Sequence, residues 1–520
     1  MRKRLPLGIQ TFAKIRDKES DFAYIDKTGI AHRLIENGQY YFISRPRRFG
    51  KSLFLDTLSE LFKGSKDLFE GLYIYDRWNW EKRYPVIRID FSIGDFAGEK
   101  GIRTRILDIL EHNRKEAGVA CDFSEDIPSS FNALICAIYE AYRREVVILA
   151  DEYDKPILDN LSNTRVAAEA REILRRFYGT IKGADRYLKF VLLTGVSKFS
   201  RMNLFSGLNN LQDITLSKDY ATITGFTQYD LESVFAEHLK DVDMRKVKTW
   251  YNGYNYFEEP LYNPYDILLF LSNRCEFKNY WWGTGNPAFL VEKLREQDYF
   301  LPELENVVVG EETLDSFDVE HVDLVALLWQ TGYLTFDEKL ETTARVLYRM
   351  RVPNLEIQNS LNELFFAFLT GVRERSGRRE MAVAESIRAP DFESLRKHLT
   401  SVFASIPHSD YVKNTIAHYE GYYASVLYTY LAALGFEVIA EDTTNRGRVD
   451  LSLRSGTNIM IFEFKVDSAE DPLAQIKTKR YCEKYLSEGK DIYLVGMKFD
   501  KQEGNISGFA WEKVEPNASG

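Results

Sequence analysis

The residues of this chain whose types and spacing could do chemistry begin with Gly50-Lys51-Ser52. They follow the apolar run Tyr40-Tyr41-Phe42-Ile43, then Ser44 and the basic turn Arg45-Pro46-Arg47-Arg48-Phe49. They open a segment with Leu53, Leu55, Leu58, Leu61 and Phe62 at helical spacing. A strand, a tight turn and a helix N-terminus in that order make a phosphate-binding loop, whose backbone N–H groups and helix end face an anion. There Lys51 reaches the β- and γ-phosphates of a nucleotide, and the Ser52 hydroxyl holds Mg²⁺. Arg45 stands where the usual G-x-x-x-x-G-K-[ST] pattern has its first glycine, so only Gly50 is kept. On these residues alone a phosphate loop and a plain basic strand-to-helix turn fit equally well.

A second motif shifts that balance. Val146-Val147-Ile148-Leu149 reads as a buried parallel strand, and Asp151 and Glu152 follow it at the end where open α/β sheets place ligands. Asp151 is suited to holding Mg²⁺, directly or through water, and Glu152 to activating or orienting the attacking water. Asp154 is a further carboxylate with no assigned task. Thr194 ends a later apolar run, where it serves either as a γ-phosphate sensor or as an ordinary strand-end hydroxyl. Lys198 and Arg201 come next and are candidates for the positive charge that γ-phosphate transfer needs, though ordinary surface charge is the commoner role for such residues.

A third constellation lies near the C-terminal end. Asp450 begins a strand and Glu463-x-Lys465 ends the next one. On adjacent strands Asp450 and Glu463 can converge, and the period of two puts Glu463 and Lys465 on one face. Two carboxylates hold a divalent ion, the ion acidifies a water and polarises a phosphodiester, and the lysine positions the nucleophile or stabilises developing charge. Glu420, on a preceding helical run from Tyr411 to Leu434, can add a carboxylate. Gln475 and Tyr481, on a following helix, suit backing the site or touching the phosphate backbone.

The elements that must position these groups alternate. Pro85–Ser92, Val146–Leu149 and Phe190–Gly195 are strand-like runs separated by helical spacing, which predicts a mainly parallel sheet with helices on both faces. Residues 320 to 370 read as helix, short strand around Tyr333–Phe336, and helix, with Pro353 as punctuation. Gly371 to Arg379 is charged, carries two glycines and reads as a linker or exposed loop. With 520 residues and 45% hydrophobic content, the chain is long enough for two or three globular domains.

The formal net charge of −10 argues against a surface coated in nucleic-acid-binding charge, so any such site must be local. Cys121, Cys136, Cys275 and Cys482 are scattered without metal-ligand spacing and read as reduced thiols. Met1-Arg2-Lys3-Arg4 is followed by no apolar core, and no apolar stretch is long enough to span a bilayer, so a cytoplasmic protein without a membrane partner is expected. His408 and His418 join no cluster and read as structural.

Several of these segments together resemble a known family. Asp26-Lys27-Thr28, Arg45 through Ser52, Asp151-Glu152-Tyr153-Asp154 and Ser206-Gly207-Leu208-Asn209-Asn210 are similar to the AAA-ATPase-like family of bacterial and archaeal proteins. The similarity continues through Trp250-Tyr251-Asn252-Gly253-Tyr254 and Tyr262-Asn263-Pro264-Tyr265. In that family arginine is the usual residue at the first-glycine position, which Arg45 matches. The resemblance implies an α/β fold with a P-loop NTPase parallel sheet and a helical lid, residues 5–225 and 226–370. It implies ATP and Mg²⁺ as ligands and leaves a homo-oligomer open.

The set of Glu420, Asp450, Glu463-x-Lys465, Gln475 and Tyr481 in its helix and strand order resembles the PD-(D/E)XK nuclease superfamily over residues 384–498. Arg448-Val449-Asp450 there replaces Pro-Asp. That implies a small α/β restriction-endonuclease-like domain using Mg²⁺ or Mn²⁺ on nucleic acid, with DNA the expected substrate. The competing reading is a nucleotide-dependent switch or scaffold whose C-terminal domain binds nucleic acid or a protein partner without cleavage.

Overall fold

Five short strands build the first sheet: β1 (Tyr40–Ser44), β2 (Val86–Asp90), β3 (Val146–Asp151), β4 (Leu188–Gly195) and β5 (Gln212–Asp213). The computed structural model describes residues 2–198, 208–281, 307–314, 323–343, 345–370, 377–406 and 420–515. These fall into two units, one within residues 1–290 and 306–356 and the other within 357–520. Arg201, Ser206, Gly207, residues 371–376, His408 and the segment 411–419 with His418 lie outside the described residues.

In the first unit the strand order is β2-β3-β4-β1-β5 and every pairing is parallel. Strands β1 and β3 are buried throughout, as a parallel sheet covered on both faces requires. Crossover helices supply the cover: Lys51–Lys63, Gly98–Ala117, Ile127–Tyr142 and Thr164–Gly183. Leu55, Leu58, Leu61 and Phe62, the helically spaced residues after the phosphate loop, pack against Tyr41, Ile43, Leu149 and Leu192. Because β4 lies between β1 and β3, the ends of three strands that are distant in sequence are neighbours. Ile43 pairs with Thr194, and Ala150 with Leu193.

The region expected to be a helical lid contains helices Gln228–Val234, Met244–Tyr251 and Pro264–Ser272. It also holds a two-stranded ribbon of β6 (Asn252–Tyr254) and β7 (Leu261–Tyr262). Beyond it, the single short strand expected near Tyr333 is part of an antiparallel sheet of order β8-β10-β9: β8 (Val308–Gly310), β9 (Thr335–Glu341) and β10 (Val346–Arg351). Charged Asp337, Glu338 and Lys339 on β9 face solvent, so this sheet lacks the apolar run that marks a buried strand.

The second unit carries helices Gly377–Arg388, Phe392–Phe403 and Glu420–Ala433 and a sheet β11 (Glu437–Thr444), β12 (Gly447–Ser455), β13 (Asn458–Val466), β14 (Asp491–Asp500) and β15 (Asn505–Lys513). Its strands lie in sequence order, with only β13 and β14 parallel, joined by a crossover that includes the helix Pro472–Lys479. β15 extends the sheet beyond residue 498, where the domain expected from the sequence ends. Tyr481 is not on the helix of Gln475, as expected from sequence. That helix closes at Lys479, Arg480 takes a left-handed conformation at φ 50°, and Tyr481 begins a separate 3₁₀ segment.

Candidate functional sites

β1 ends at Ser44, and the chain turns through Arg45–Gly50, with Arg48 at φ 65° and Gly50 at φ 92°, before the helix Lys51–Lys63 begins. Glycine is required at position 50 by this left-handed backbone and not by crowding, since a Cβ there would meet nothing within 4 Å. The Lys51 ammonium is buried against the inside of the turn, donating to the Arg45 carbonyl at 2.8 Å and the Pro46 carbonyl at 2.9 Å. Burial pushes it below the ordinary lysine range, and the negative charges of Asp151, Asp154 and Glu152 pull it partly back.

The side chain of Arg45 corrects one expectation. The family resemblance puts Arg45 with residues 46–52 in the nucleotide-binding loop, but its guanidinium is fully buried behind the loop. Nη1 donates to the carbonyls of Ser44 at 2.9 Å and Thr215 at 2.8 Å, and Nη2 to that of Ala221 at 3.4 Å. The group also lies 3.7 Å from the centroid of the Tyr256 ring. Arg45 therefore braces the loop from the core side, and what it offers to Lys51 is its backbone carbonyl. Phe49 is a second anchor, edge-on to Tyr254 with ring centroids 4.9 Å apart. Arg47 and Arg48 are exposed, Arg48 lying over the Tyr265 ring at 4.3 Å.

Across from the loop, Asp151 is buried and its Oδ1 accepts from the Thr194 hydroxyl at 2.8 Å and from the Glu152 N–H at 3.1 Å. Glu152 has φ 50°, and burial, followed by the charge of Asp151, pushes its carboxyl up. Asp154 is occupied: its Oδ2 accepts from Val196 N–H at 3.0 Å and Ser197 N–H at 2.6 Å, fixing the turn after β4. Lys198 is not a surface charge, being buried in an ion pair with Asp213 at 3.0 Å.

A cavity of about 540 Å³ opens over Gly50, Lys51 and Ser52. Glu152 and Lys155 form part of its wall, together with the approach segment before β1, the turn Ile223–Phe226 and the start of the helix Pro264–Ser272. The helix is capped by Asn263, whose Oδ1 accepts from Tyr265 N–H at 2.9 Å while its Nδ2 reaches the Arg47 carbonyl at 3.5 Å. Behind it Asp266 is buried beside Glu356, and burial drives both carboxyls upward. Neither Asn263 nor the acid pair was singled out from the sequence as chemistry, because their meaning depends on which helix end meets the loop.

In the second unit Asp450 and Glu463 come from neighbouring strands, and the Asp450 Oδ2 accepts from the Phe464 N–H at 2.7 Å. Gln475 donates its amide to Glu463 Oε1, while the buried Glu463 Oε2 has no hydrogen-bond partner among the described residues. Burial raises both carboxyls, each raised further by neighbouring acids, Glu463 by Asp450 and Asp450 by Glu420. Lys465 Nζ lies 3.4 Å from Glu420 Oε1 and 3.8 Å from Glu463 Oε1. Burial alone would lower its ammonium, but Glu420, Glu463 and Asp450 outweigh that and hold it above the ordinary value. Tyr481 belongs to the buried apolar cluster that includes Ile459 and Ile461, the residues preceding Glu463 on the same face of β13.

Among the described residues no group of three His, Cys, Asp or Glu side chains is arranged to hold a metal. Two carboxylates, one with an orphaned buried oxygen, nevertheless suit Mg²⁺, which is commonly held by one or two carboxylates and keeps several waters.

Residues 6–205 match the family model described as predicted AAA-ATPase, and residues 418–509 match that of the PD-(D/E)XK nuclease superfamily. A protein of Azotobacter chroococcum mcd 1, described as an uncharacterized protein in the vnfD 5′ region, is 45% identical over 520 residues, covering 99% of each chain. The chain belongs to the AAA-ATPase-like family with a C-terminal PD-(D/E)XK nuclease domain. No solved structure matches. In this AAA-ATPase-like protein the two matched segments contain the two clusters: Lys51, Ser52, Asp151, Glu152 and Thr194 in the first, and Glu420, Asp450, Glu463, Lys465, Gln475 and Tyr481 in the second. Among the described residues no helix is long and apolar enough to cross a membrane.

Proposed function

We propose that this protein binds and hydrolyses ATP in its first unit and cleaves phosphodiester bonds of DNA, with a divalent metal, in its second. The observation that carries the nuclease half is the grouping of Asp450, Glu463 and Lys465 on adjacent strands, with Glu463 Oε2 buried and, among the described residues, without a hydrogen-bond partner. A bound Mg²⁺ or Mn²⁺ supplies a water of lowered pKa and polarises the phosphate. Asp450 and Glu463 are the residues that hold it. Gln475 orients Glu463, Tyr481 supports that pair from below, and Glu420 aims the Lys465 ammonium at the charge that develops on the phosphate.

For the ATPase half, Lys51 exchanges two loop carbonyls for the β- and γ-phosphates, with the backbone of residues 46–50 around them. Ser52 and Asp151 are the Mg²⁺ ligands, Thr194 fixes the Asp151 carboxylate, and Glu152 orients the attacking water. ATP binding or hydrolysis gates the nuclease.

Cleavage of linear, circular and single-stranded DNA with Mg²⁺ or Mn²⁺, with and without ATP, tests this reading. Glu463→Ala is expected to remove cutting and leave ATP binding in place. Cutting by Glu463→Ala at the wild-type rate would refute the site, and ATP hydrolysis without cutting on any substrate would favour a nucleotide switch.

A further inference from the structure

Strands β13 and β14 run parallel in register, so residues opposite each other share a face. On the face that carries Glu463 and Lys465, Ile459 pairs with Ile492 and Ile461 with Leu494, all four in one apolar cluster. The next row is Glu463 beside Gly496. Glycine is needed there because the helix Pro472–Lys479 comes down on it: a Cβ at 496 would lie 2.7 Å from the Leu473 backbone nitrogen. The row after that sets Lys465 beside Lys498.

Like charges on neighbouring strands oppose folding unless something neutralises them. Lys465 has Glu420 and Glu463 close by, at 3.4 and 3.8 Å. Among the described residues the side chain of Lys498 makes no hydrogen bond or ion pair. It is the first residue along this face of β14 to leave the buried interior, beyond Ile492, Leu494 and Gly496. Its stem is held over β15 at Gly508, where an added Cβ would come within 3.2 Å of the Lys498 Cβ. The second lysine is thus partly covered, and it stands one strand away from the nuclease lysine with no ion-pair partner among the described residues.

We propose that Lys498 is a phosphate-binding residue for the nucleic-acid strand in this site, gripping the phosphate next to the one Lys465 faces. Adjacent strands lie about 4.8 Å apart, and the Lys498 stem leans over β15, away from β13, so the two ammoniums spread wider than the strands and reach successive phosphates of one nucleic-acid strand. The inference rests on the nuclease reading. It adds a contact that the PD-(D/E)XK set of Asp450, Glu463 and Lys465 does not include, and it places the strand's path across β13 and β14.

The test uses the full chain carrying Glu463→Gln, with Mg²⁺, and follows anisotropy of a short fluorescein-labelled DNA duplex as salt is raised. Lys498→Ala is expected to reduce the slope of log affinity against log salt by about 0.9, the value of one phosphate contact. Lys498→Arg should restore that slope. Lys397→Ala, which removes one charge from an exposed helix position of the same unit, should leave it unchanged. An unaltered slope in Lys498→Ala, or an equal fall in Lys397→Ala, overturns the assignment while the nuclease reading stands. A chain with Glu463 intact that neither binds nor cuts DNA overturns both.

Discussion

The two candidate sites use the same three residue types, a lysine, an aspartate and a glutamate, and arrange them in opposite electrostatic senses. In the first, Lys51 is enclosed by neutral carbonyls of its own loop while Asp151 and Glu152 stand on the end of another strand. In the second, Lys465 lies against carboxylates and the acids lie beside each other. Burial lowers the first ammonium, and acids raise the second. A lysine bonded to replaceable carbonyls is prepared for an anion. Crowded carboxylates with an orphaned oxygen are prepared for a cation. The sheets explain the difference: a parallel sheet gathers its chemistry in loops at the strand ends, whereas the mixed sheet places it on the face of two neighbouring strands.

The widest separation should come from crossing the two sites. Glu463→Ala is expected to lower cleavage at least about a hundredfold with nucleotide affinity unchanged, and Lys51→Ala to weaken nucleotide binding by a similar factor. Nucleotide titration and cleavage rates on the same two preparations check this, and loss of both activities in either variant would erase the distinction.

Next comes Arg45→Gly, which restores the usual first glycine. If the guanidinium braces the loop, this variant should lose roughly 3 kcal/mol in the first unit through unsatisfied carbonyls and a void. Chemical denaturation reads that loss, and a variant of native stability with weaker nucleotide binding would return Arg45 to the phosphates. Gln475→Ala is expected to weaken metal affinity and cleavage by about tenfold to a hundredfold, as for other residues that orient a ligand. Calorimetric Mn²⁺ titration measures it, and unchanged affinity would remove Gln475 from the site.

The smallest effect concerns the acid pair behind the loop. Asp266 and Glu356 are raised by burial, so the folded unit holds a proton more tightly than the unfolded chain does. Their contribution is fully present below the ordinary carboxylate range and is lost as pH rises through the raised values. Melting temperature should therefore decline as pH rises from the ordinary carboxylate range through about 7, the value to which Asp266 is pushed, and Asp266→Asn, whose amide can replace the shared proton, should flatten that decline by a few degrees. An identical slope in the variant would show that other groups set it.

Much of the parallel sheet was legible in the chain itself. Val146–Leu149 and Phe190–Gly195 are apolar because both sheet faces are covered, and a continuous run survives in sequence as a clear signal. The antiparallel β9 and β10 were harder to read, since Asp337, Glu338, Lys339, Arg349 and Arg351 interrupt the two strands and dilute the apolar signal. Tyr481 was placed on the wrong element for a local reason: Arg480 adopts a left-handed backbone that its residue type does not announce.

What the sequence determined by itself was the kit: which lysines, acids and glycines stand at strand ends, and in what order. That information is local, carried by short apolar runs and by motifs a few residues long. Only the tertiary structure decided where each group points. Arg45 turns toward Thr215 and Ala221, Lys198 finds Asp213, and Lys465 stands beside Lys498. Each of these partners lies on a different strand or loop, and strand order and register bring them together, so spacing along the chain cannot reveal them.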